Sequence, residues 1–425
     1  MNKKEKLTLV PKLRFPEFRS TGEWKLCKLS DLASKITVRN KDNLINRVLT
    51  NSAVEGVVDQ SDYFAREVSN KNNLENYFVI DEGDYVYNPR ISVTAPVGPI
   101  SKNKVGKGVM SPLYTVFRFD NPNNDFYTQY FKTNLWHSYL KRVSNTGARH
   151  DRMSISNDDF MKMPLPYNSE EEQQKIADCL SSFDGLINTE NKKLDSLKIH
   201  KKGLMQMLFP AEGKTLPELR FPEFRDCGEW EVKPLKSFIK LYRGSSPRPI
   251  QNYLTKNNGV NWIKIGDAKN SCGFKIRSVG EQITHEGAQK SRFVTSGELI
   301  LANSMSYGKT YEIEISGCIY DGWFVLREYE EHFNKKFLLQ QLNSDNLQNQ
   351  YSSLSAGGVV QNISSDIVYA TILKRPQLEE QKKIAEFLSS IDDLITAQTE
   401  KIEALKSHKK GLMQGLFPFV KEVGK

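Results

Sequence analysis

The chain has 425 residues, of which 38% are hydrophobic and 26% charged, with a formal charge of +9 and a pI near 9. That length suits two to four domains of ordinary globular composition, and no apolar run approaches the roughly 18 residues that a membrane helix needs. The basic excess favours a polyanionic partner, because Lys and Arg gain by releasing counterions from phosphates.

The first residues, MNKKEKLTLV, are charged and lack the apolar core of a secretory signal. Cys27, Cys179, Cys227, Cys272 and Cys318 are scattered without a CxxC pair. They predict reduced thiols in a cytoplasmic protein, with no disulfide framework or zinc knuckle.

The chain opens with PKLRFPEFRSTGEW at Pro11, which returns as PELRFPEFRDCGEW at Pro217, 206 residues later. The first middle segment follows. YFVIDEGDYVYNPR and GVMSPLYTVFRF read as strands, and FYTQYFKTNLWHSYLKRV reads as a helix. The Gly loop TGARHDRMSIS then leads to an apolar strand ending in Pro. From Glu171 to Leu208 one long helix is predicted. Ile176, Leu180, Phe183, Ile187, Glu190, Leu194, Leu197, Lys201, Leu204 and Leu208 form its seam at 3-4 spacing. Asn168 or Ser169 can cap it, Glu170 to Glu172 favour its first turn, and Pro210 stops it.

The second middle segment repeats the order with different residues. VNWIKIGDA, GELILANSMS and CIYDGWFVLR read as strands, KKFLLQQLNSDNLQNQYSSL as a helix, and SAGGVVQNIS as the Gly loop. A second long helix carries the seam Ile384, Leu388, Ile391, Ile395, Gln398, Ile402, Leu405, Lys409, Leu412 and Leu416. Its segment from Glu379 to Pro418 matches Glu171 to Pro210 at a spacing of 208 residues, with roughly 25 of 40 positions identical. The polar exceptions fall at the same two seam positions, Glu190/Gln398 and Lys201/Lys409.

One unit of about 207 residues is therefore written twice. Matched segments should present matched surfaces, and unlike segments should contact unlike things. The expected fold class is α+β. Two globular mixed domains are separated by a pair of long antiparallel coiled-coil helices, in a tandem pseudo-symmetric repeat. Packing of each long helix on its own domain is the other arrangement open to these stripes. The His200-Lys201-Lys202 and His408-Lys409-Lys410 clusters read as solvated helix ends, or as phosphate or subunit contacts.

Candidate DNA-binding residues are placed by the chemistry of the loops. In the first domain they are Lys41, Asn43, Arg90, Arg149, His150 and Arg152. In the second they are Arg243, Ser245, Ser246, Arg248, Lys264, Asn303 and Gln361. Arg can bridge guanine, Asn or Gln can bridge adenine, and Ser suits phosphate.

Catalytic patterns fail on inspection. Gly308-Lys309-Thr310 ends like a phosphate loop, but Asn303 stands where the leading Gly belongs; Gly213-Lys214-Thr215 has Leu208 there. Asn88-Pro89-Arg90 lacks the second Pro of an adenine methyltransferase motif. Asp226, Glu231 and Lys233 are too closely spaced for a nuclease triad, and the six histidines form no metal-like cluster.

Taken together, the LRFPEF block, the GSSP turn after Tyr242-Arg243, WIKIGD, GELILANS and the paired EEQKKIA…HKKGLMQxLFP helices resemble the specificity subunits of type I restriction-modification systems. The resemblance implies target recognition domains at 1–166 and 217–376, with conserved helices at 167–216 and 377–425. It implies a non-catalytic cytoplasmic subunit that reads a split, asymmetric site in double-stranded DNA. It also implies a scaffold for two methyltransferase (M) subunits and two restriction/translocase (R) subunits, directing N6-methylation of adenine and restriction. No cofactor is then expected in this chain; S-adenosylmethionine, ATP and Mg would belong to the partners. A coiled-coil adaptor without a DNA role, or the detached recognition half of a fused enzyme, are the alternatives.

Overall fold

A computed structural model describes residues 9–63, 74–145, 151–270, 273–304, 308–355 and 363–418. The chain forms two compact units. One comprises Met1–Asn188 with Glu403–Lys425, the other Thr189–Ile402. Each unit therefore contains part of both long helices.

In the first unit, strands Ala33–Lys35, Thr115–Phe119, Tyr85–Tyr87 and Ile100–Lys102 form an antiparallel sheet in that order. A second sheet has the order Gly56–Asp59, Val48–Ser52, Gly108–Met110, Phe78–Ile80, with a parallel pair at its centre. Lys25–Lys28 pairs with Pro164–Tyr167.

The second unit reproduces this topology with unrelated residues. Lys240–Arg243, Trp323–Arg327, Leu299–Ala302 and Thr310–Ile313 build the antiparallel sheet, and Lys275–Ile276 adds an edge. Glu281–Ile283, Val260–Ile263, Gly317–Ile319 and Arg292–Val294 build the other sheet, again with a central parallel pair and one added edge strand, Leu254–Thr255. Glu231–Pro234 pairs with Ile372–Arg375. The shared order of elements in the two middles is thus a shared α+β fold.

The single helix predicted in each middle is two. Asp125–Tyr130 and His137–Val143 are separated by a turn in which Thr133 donates to the Tyr130 carbonyl and the Trp136 indole to the Phe131 carbonyl. Lys335–Leu342 and Asp345–Ser355 are separated at Asn343, whose amide pairs with both backbone groups of Thr310. Local periodicity continued across both breaks; local side-chain bonds to the Tyr130 and Phe131 carbonyls accompany the first, and a remote backbone partner, Thr310, accompanies the second. Two short helices, Asn157–Met161 and Ser365–Ala370, were not expected from sequence. Each is capped by a serine, Ser156 or Ser364.

The long helices span Glu170–Leu208 and Leu378–Leu416, 39 residues each, or about 58 Å at 1.5 Å per residue. Ser169 caps the first by accepting from the Glu172 amide. All twenty seam positions are buried or half-buried. Phe183 meets the His408 ring in the first unit, and Leu204 and Leu208 join the core that contains Ile384 and Leu388 in the second.

Lys201 and Lys409 are not solvated. Lys201 bonds both carboxylate oxygens of Asp392 at 2.7 and 2.8 Å, and Lys409 pairs with Asp184. Lys202 stays exposed and pairs with Asp345.

The LRFPEF blocks are anchors rather than linkers. Arg14 forks onto Glu172 with both bonds at 2.7 Å, and the Trp24 indole donates to the same carboxylate. Arg220 and Trp230 do the same to Glu380. Glu17–Lys175 and Glu223–Lys383 repeat the pattern, both at 3.3 Å. The Glu172 and Glu380 side chains are almost fully buried. Removing one partner of such a pair strands a charge in a poorly solvated place and costs about 3–5 kcal/mol. Arg220→Ala should therefore lower stability by about 3 kcal/mol or more, read from urea denaturation followed by tryptophan fluorescence. A loss typical of a surface arginine, below about 0.5 kcal/mol, contradicts the anchor.

Burial pushes the Asp184 carboxyl up, but hydrogen bonds from Lys409 and Lys132 outweigh it and hold the group at about 2. An unfolded aspartate titrates near about 3.9. The folded state thus gains from the ionised form above that pH and loses the gain as pH falls toward 2. Asp184→Asn should lower Tm near neutrality, with the gap to wild type closing between about pH 4 and 2 in thermal melts. A gap independent of pH would show that the ion pair adds nothing.

Candidate nucleic-acid interface

In the second unit four of the predicted residues converge on one turn. Strand Lys240–Arg243 leads into Gly244, whose amide donates to the Trp323 carbonyl, and Ser245, whose amide donates to the Ile319 carbonyl. A Cβ on Gly244 would lie 2.1 Å from the Tyr320 carbonyl oxygen, so only glycine allows this approach. The loop is thereby pressed onto the turn Tyr320-Asp321-Gly322.

Asp321 organises what gathers there. Its carboxylate accepts from Ser246 at 2.6 Å and from Arg248 at 3.5 Å. Its carbonyl accepts from Asn303 at 2.9 Å and from Arg243 at 3.3 Å. Asn303 is buried and structural, whereas Arg243 is exposed and the Arg248 side chain is 80% exposed. An ion pair as open as Arg248–Asp321 contributes little stability, so the guanidinium is free to exchange its carboxylate for a phosphate or a base edge. Ser245 donates to the Lys290 carbonyl beside the cluster. Lys264 lies apart, paired with Glu281. Gln361 falls outside the described residues.

In the first unit Arg90 and Arg152 form an isolated β-bridge and both face Asp151, at 3.8 and 3.7 Å. Lys41 and Asn43 occupy a separate turn. Lys41 is exposed; Asn43 has a positive φ of 51° and its amide bonds the Asn40 carbonyl, a local turn role. Arg149 and His150 fall outside the described residues.

Asn88-Pro89-Arg90, a failed methyltransferase motif in sequence, has a conformational explanation. Asn88 follows the central strand Tyr85–Tyr87 as Asn303 follows Leu299–Ala302. It donates to the Asn51 carbonyl and accepts from the Arg90 amide, and so sets the course of the backbone that carries Arg90. Arg90 and Arg152 rim a cleft of about 440 Å³ lined also by Asn51, Asn88 and Tyr114. Among the described residues no group of three His, Cys, Asp or Glu side chains could hold a metal. Among the described residues no helix is long and apolar enough to cross a membrane.

Asp321, Asn51 and Tyr114 were not expected from sequence. CIYDGWFVLR reads as a strand in sequence, but the structure breaks it at its Asp-Gly pair, a turn signal, into Gly317–Ile319 and Trp323–Arg327, and that turn receives Ser246 from 75 residues earlier.

The family model of the type I restriction modification DNA specificity domain matches residues 21–198 and again 228–407. The chain belongs to that family: it is a DNA-specificity subunit, a recognition component without catalysis of its own. Relatives include the MjaVIII specificity subunit of Methanocaldococcus jannaschii, 29% identical over 323 residues, covering 72% of this chain and 73% of the relative. The putative MjaX specificity subunit of the same organism is 26% identical over 279 residues, covering 64% and 62%. Among solved structures, the S subunit from M. genitalium superposes with a TM-score of 0.57 at 12% identity, over 97% of this chain and 100% of that one. A chain from work on complex assembly and conformational transition of the type I R-M system gives 0.56 at 16% identity, over 93% and 97%.

Arg248→Ala should reduce the slope of log K against log salt by about 0.9 if the guanidinium neutralises one phosphate, measured by DNA binding at several salt concentrations. Lys264→Ala, which breaks only the tie to Glu281, should leave that slope unchanged. Equal slopes for wild type and Arg248→Ala remove Arg248 from the interface.

Proposed function

We propose that this chain reads a bipartite, asymmetric sequence in double-stranded DNA, one half-site per unit, and holds two methyltransferase subunits. The observation that carries the reading is a contrast within one chain. The scaffold contacts recur residue for residue: Arg14–Glu172 as Arg220–Glu380, Glu17–Lys175 as Glu223–Lys383, and Lys409–Asp184 as Lys201–Asp392. The loops carried by the shared topology do not recur: a cleft rimmed by Arg90 and Arg152 in one unit, an Asp321-centred cluster in the other. Matched scaffolds suit one partner bound twice; unlike loops suit two different half-sites.

Contacts between the long-helix segments of the second unit support an antiparallel pairing and, with it, the reading. Within the second unit Glu190 bonds Gln398 and Lys401, while Lys201 bonds Asp392, so contacts run down one helix as they run up the other. Glu190 and Gln398 are also equivalent positions of the repeat, meeting each other. The modification directed is N6-methylation of one adenine in each half-site, and restriction follows when two restriction/translocase subunits join. S-adenosylmethionine, ATP and Mg are then bound by those partners. Exchange of residues 25–166 for the corresponding segment of another specificity subunit, co-expressed with the methyltransferase, should change one half of the methylated motif and leave the other intact, as methylation-aware sequencing would read. Change in both halves, or in neither, would overturn the assignment of one half-site to each unit.

A further inference from the structure

Asp321 places an acid at the centre of a basic cluster, and the fold around it does not need the charge. Asn303 and Arg243 are held by its main-chain carbonyl, at 2.9 and 3.3 Å, which any residue supplies. The Ser246 hydroxyl donates to one carboxylate oxygen at 2.6 Å, a bond that an uncharged amide oxygen accepts equally well. The side chain is nonetheless 42% exposed, beside the exposed Arg243 and Arg248. On a surface that meets phosphates a carboxylate repels the ligand. A carboxylate kept there has to gain something from another part of the nucleic acid.

The Ser246 bond fixes how the group lies. Ser246 is delivered by the loop that Gly244 presses onto the Tyr320 carbonyl, an approach that leaves no room for a Cβ. Among the described residues the second carboxylate oxygen meets only the Arg248 guanidinium, at 3.5 Å. That is longer than the roughly 2.7–3.2 Å of a good N–H···O bond. The second oxygen is thus an oriented, exposed acceptor that is weakly engaged. Asp151 of the first unit differs. It faces Arg90 and Arg152 at 3.8 and 3.7 Å, and among the described residues no short hydroxyl bond orients it.

We propose that Asp321 is a specificity-determining residue of the second unit, whose second carboxylate oxygen accepts from the N4 amino group of a cytosine in the major groove. The proposal rests on the bipartite reading above and names one base pair of one half-site. A group that accepts and cannot donate selects bases with an amino group at the groove edge, cytosine and adenine. Adenine sets its N7 acceptor beside that amino group, which repels a carboxylate and suits an amide; the edge of cytosine has no such neighbour. The O6 and N7 of the paired guanine are the acceptors that an arginine takes, and Arg243 and Arg248 lie beside the carboxylate.

The test uses the full chain co-expressed with its methyltransferase, with methylation-aware sequencing reading the motif. The half-site left unchanged by exchange of residues 25–166 is the one assigned to the second unit. Asp321→Asn keeps an oxygen for Ser246 and turns an NH2 outward. Thymine carries the acceptor O4 where cytosine carries N4, so this variant should move the preference at one position of that half-site from cytosine to thymine. The expected swing is at least about tenfold. Asp321→Ala should lose the discrimination at the same position, and neither variant should alter the other positions. A charge effect alone would change methylation evenly across sequences and switch no base. If wild type methylates no bipartite motif, the parent reading fails, and this one with it. If wild type is bipartite and folded Asp321→Asn keeps the same base at every position, or loses methylation at every sequence alike, the base-reading role of Asp321 is refuted while the bipartite reading stands.

Discussion

A long helix with an apolar stripe along one side cannot stand alone in water. Thirty-nine residues at about 1.5 Å each present a seam that must be covered over its whole length. In this chain each unit covers part of the seam with a segment of both long helices and the core of one recognition domain. Leu204 and Leu208 share a core with Ile384, Leu388 and Phe337; Ile176 and Leu180 share one with Leu416, Phe417 and Phe126. Neither recognition fold is completed by its own continuous stretch of chain, which explains why the helices are kept so alike while the segments between them diverge. A change in the seam disturbs a domain core, whereas a change in a loop disturbs only what the loop touches.

The polar interruptions follow the same logic. Buried carboxylates at Glu172 and Glu380 are costly unless fully partnered, and each receives an arginine fork and an indole. The LRFPEF blocks supply those partners, tying the start of each repeat to the start of its long helix. Directional contacts of this kind specify one arrangement among the many that an apolar stripe alone would permit.

Sequence reasoning reached the repeat, the helices and the seam because these obey local rules. A 3-4 spacing, a terminal proline and an identical copy 208 residues on are visible in one dimension. The first long helix begins one residue before the predicted start, Glu170 instead of Glu171, and ends at Leu208 as predicted. The exceptions at Lys201 and Lys409 were visible too, but their partners were not, since Asp392 and Asp184 each lie on the other long helix. The break at Asn343 escaped for the same reason, since its partner Thr310 lies on a distant strand. At the interface, loop chemistry brought Arg243, Ser246, Arg248 and Asn303 into view as separate polar residues. That they meet at Asp321 follows from Gly244 closing on the Tyr320 carbonyl, a contact between residues that directly follow strands of different sheets. Asn303 was expected to reach DNA and is buried beneath the cluster it supports.

The proposed function requires the two matched scaffold surfaces to be equivalent docking sites, which fixes a stoichiometry. Native mass spectrometry of the chain co-purified with its methyltransferase measures this directly. Two methyltransferase copies per specificity chain is the expected mass. A saturated complex holding only one copy would contradict the claim that the repeat exists to grip the same partner twice.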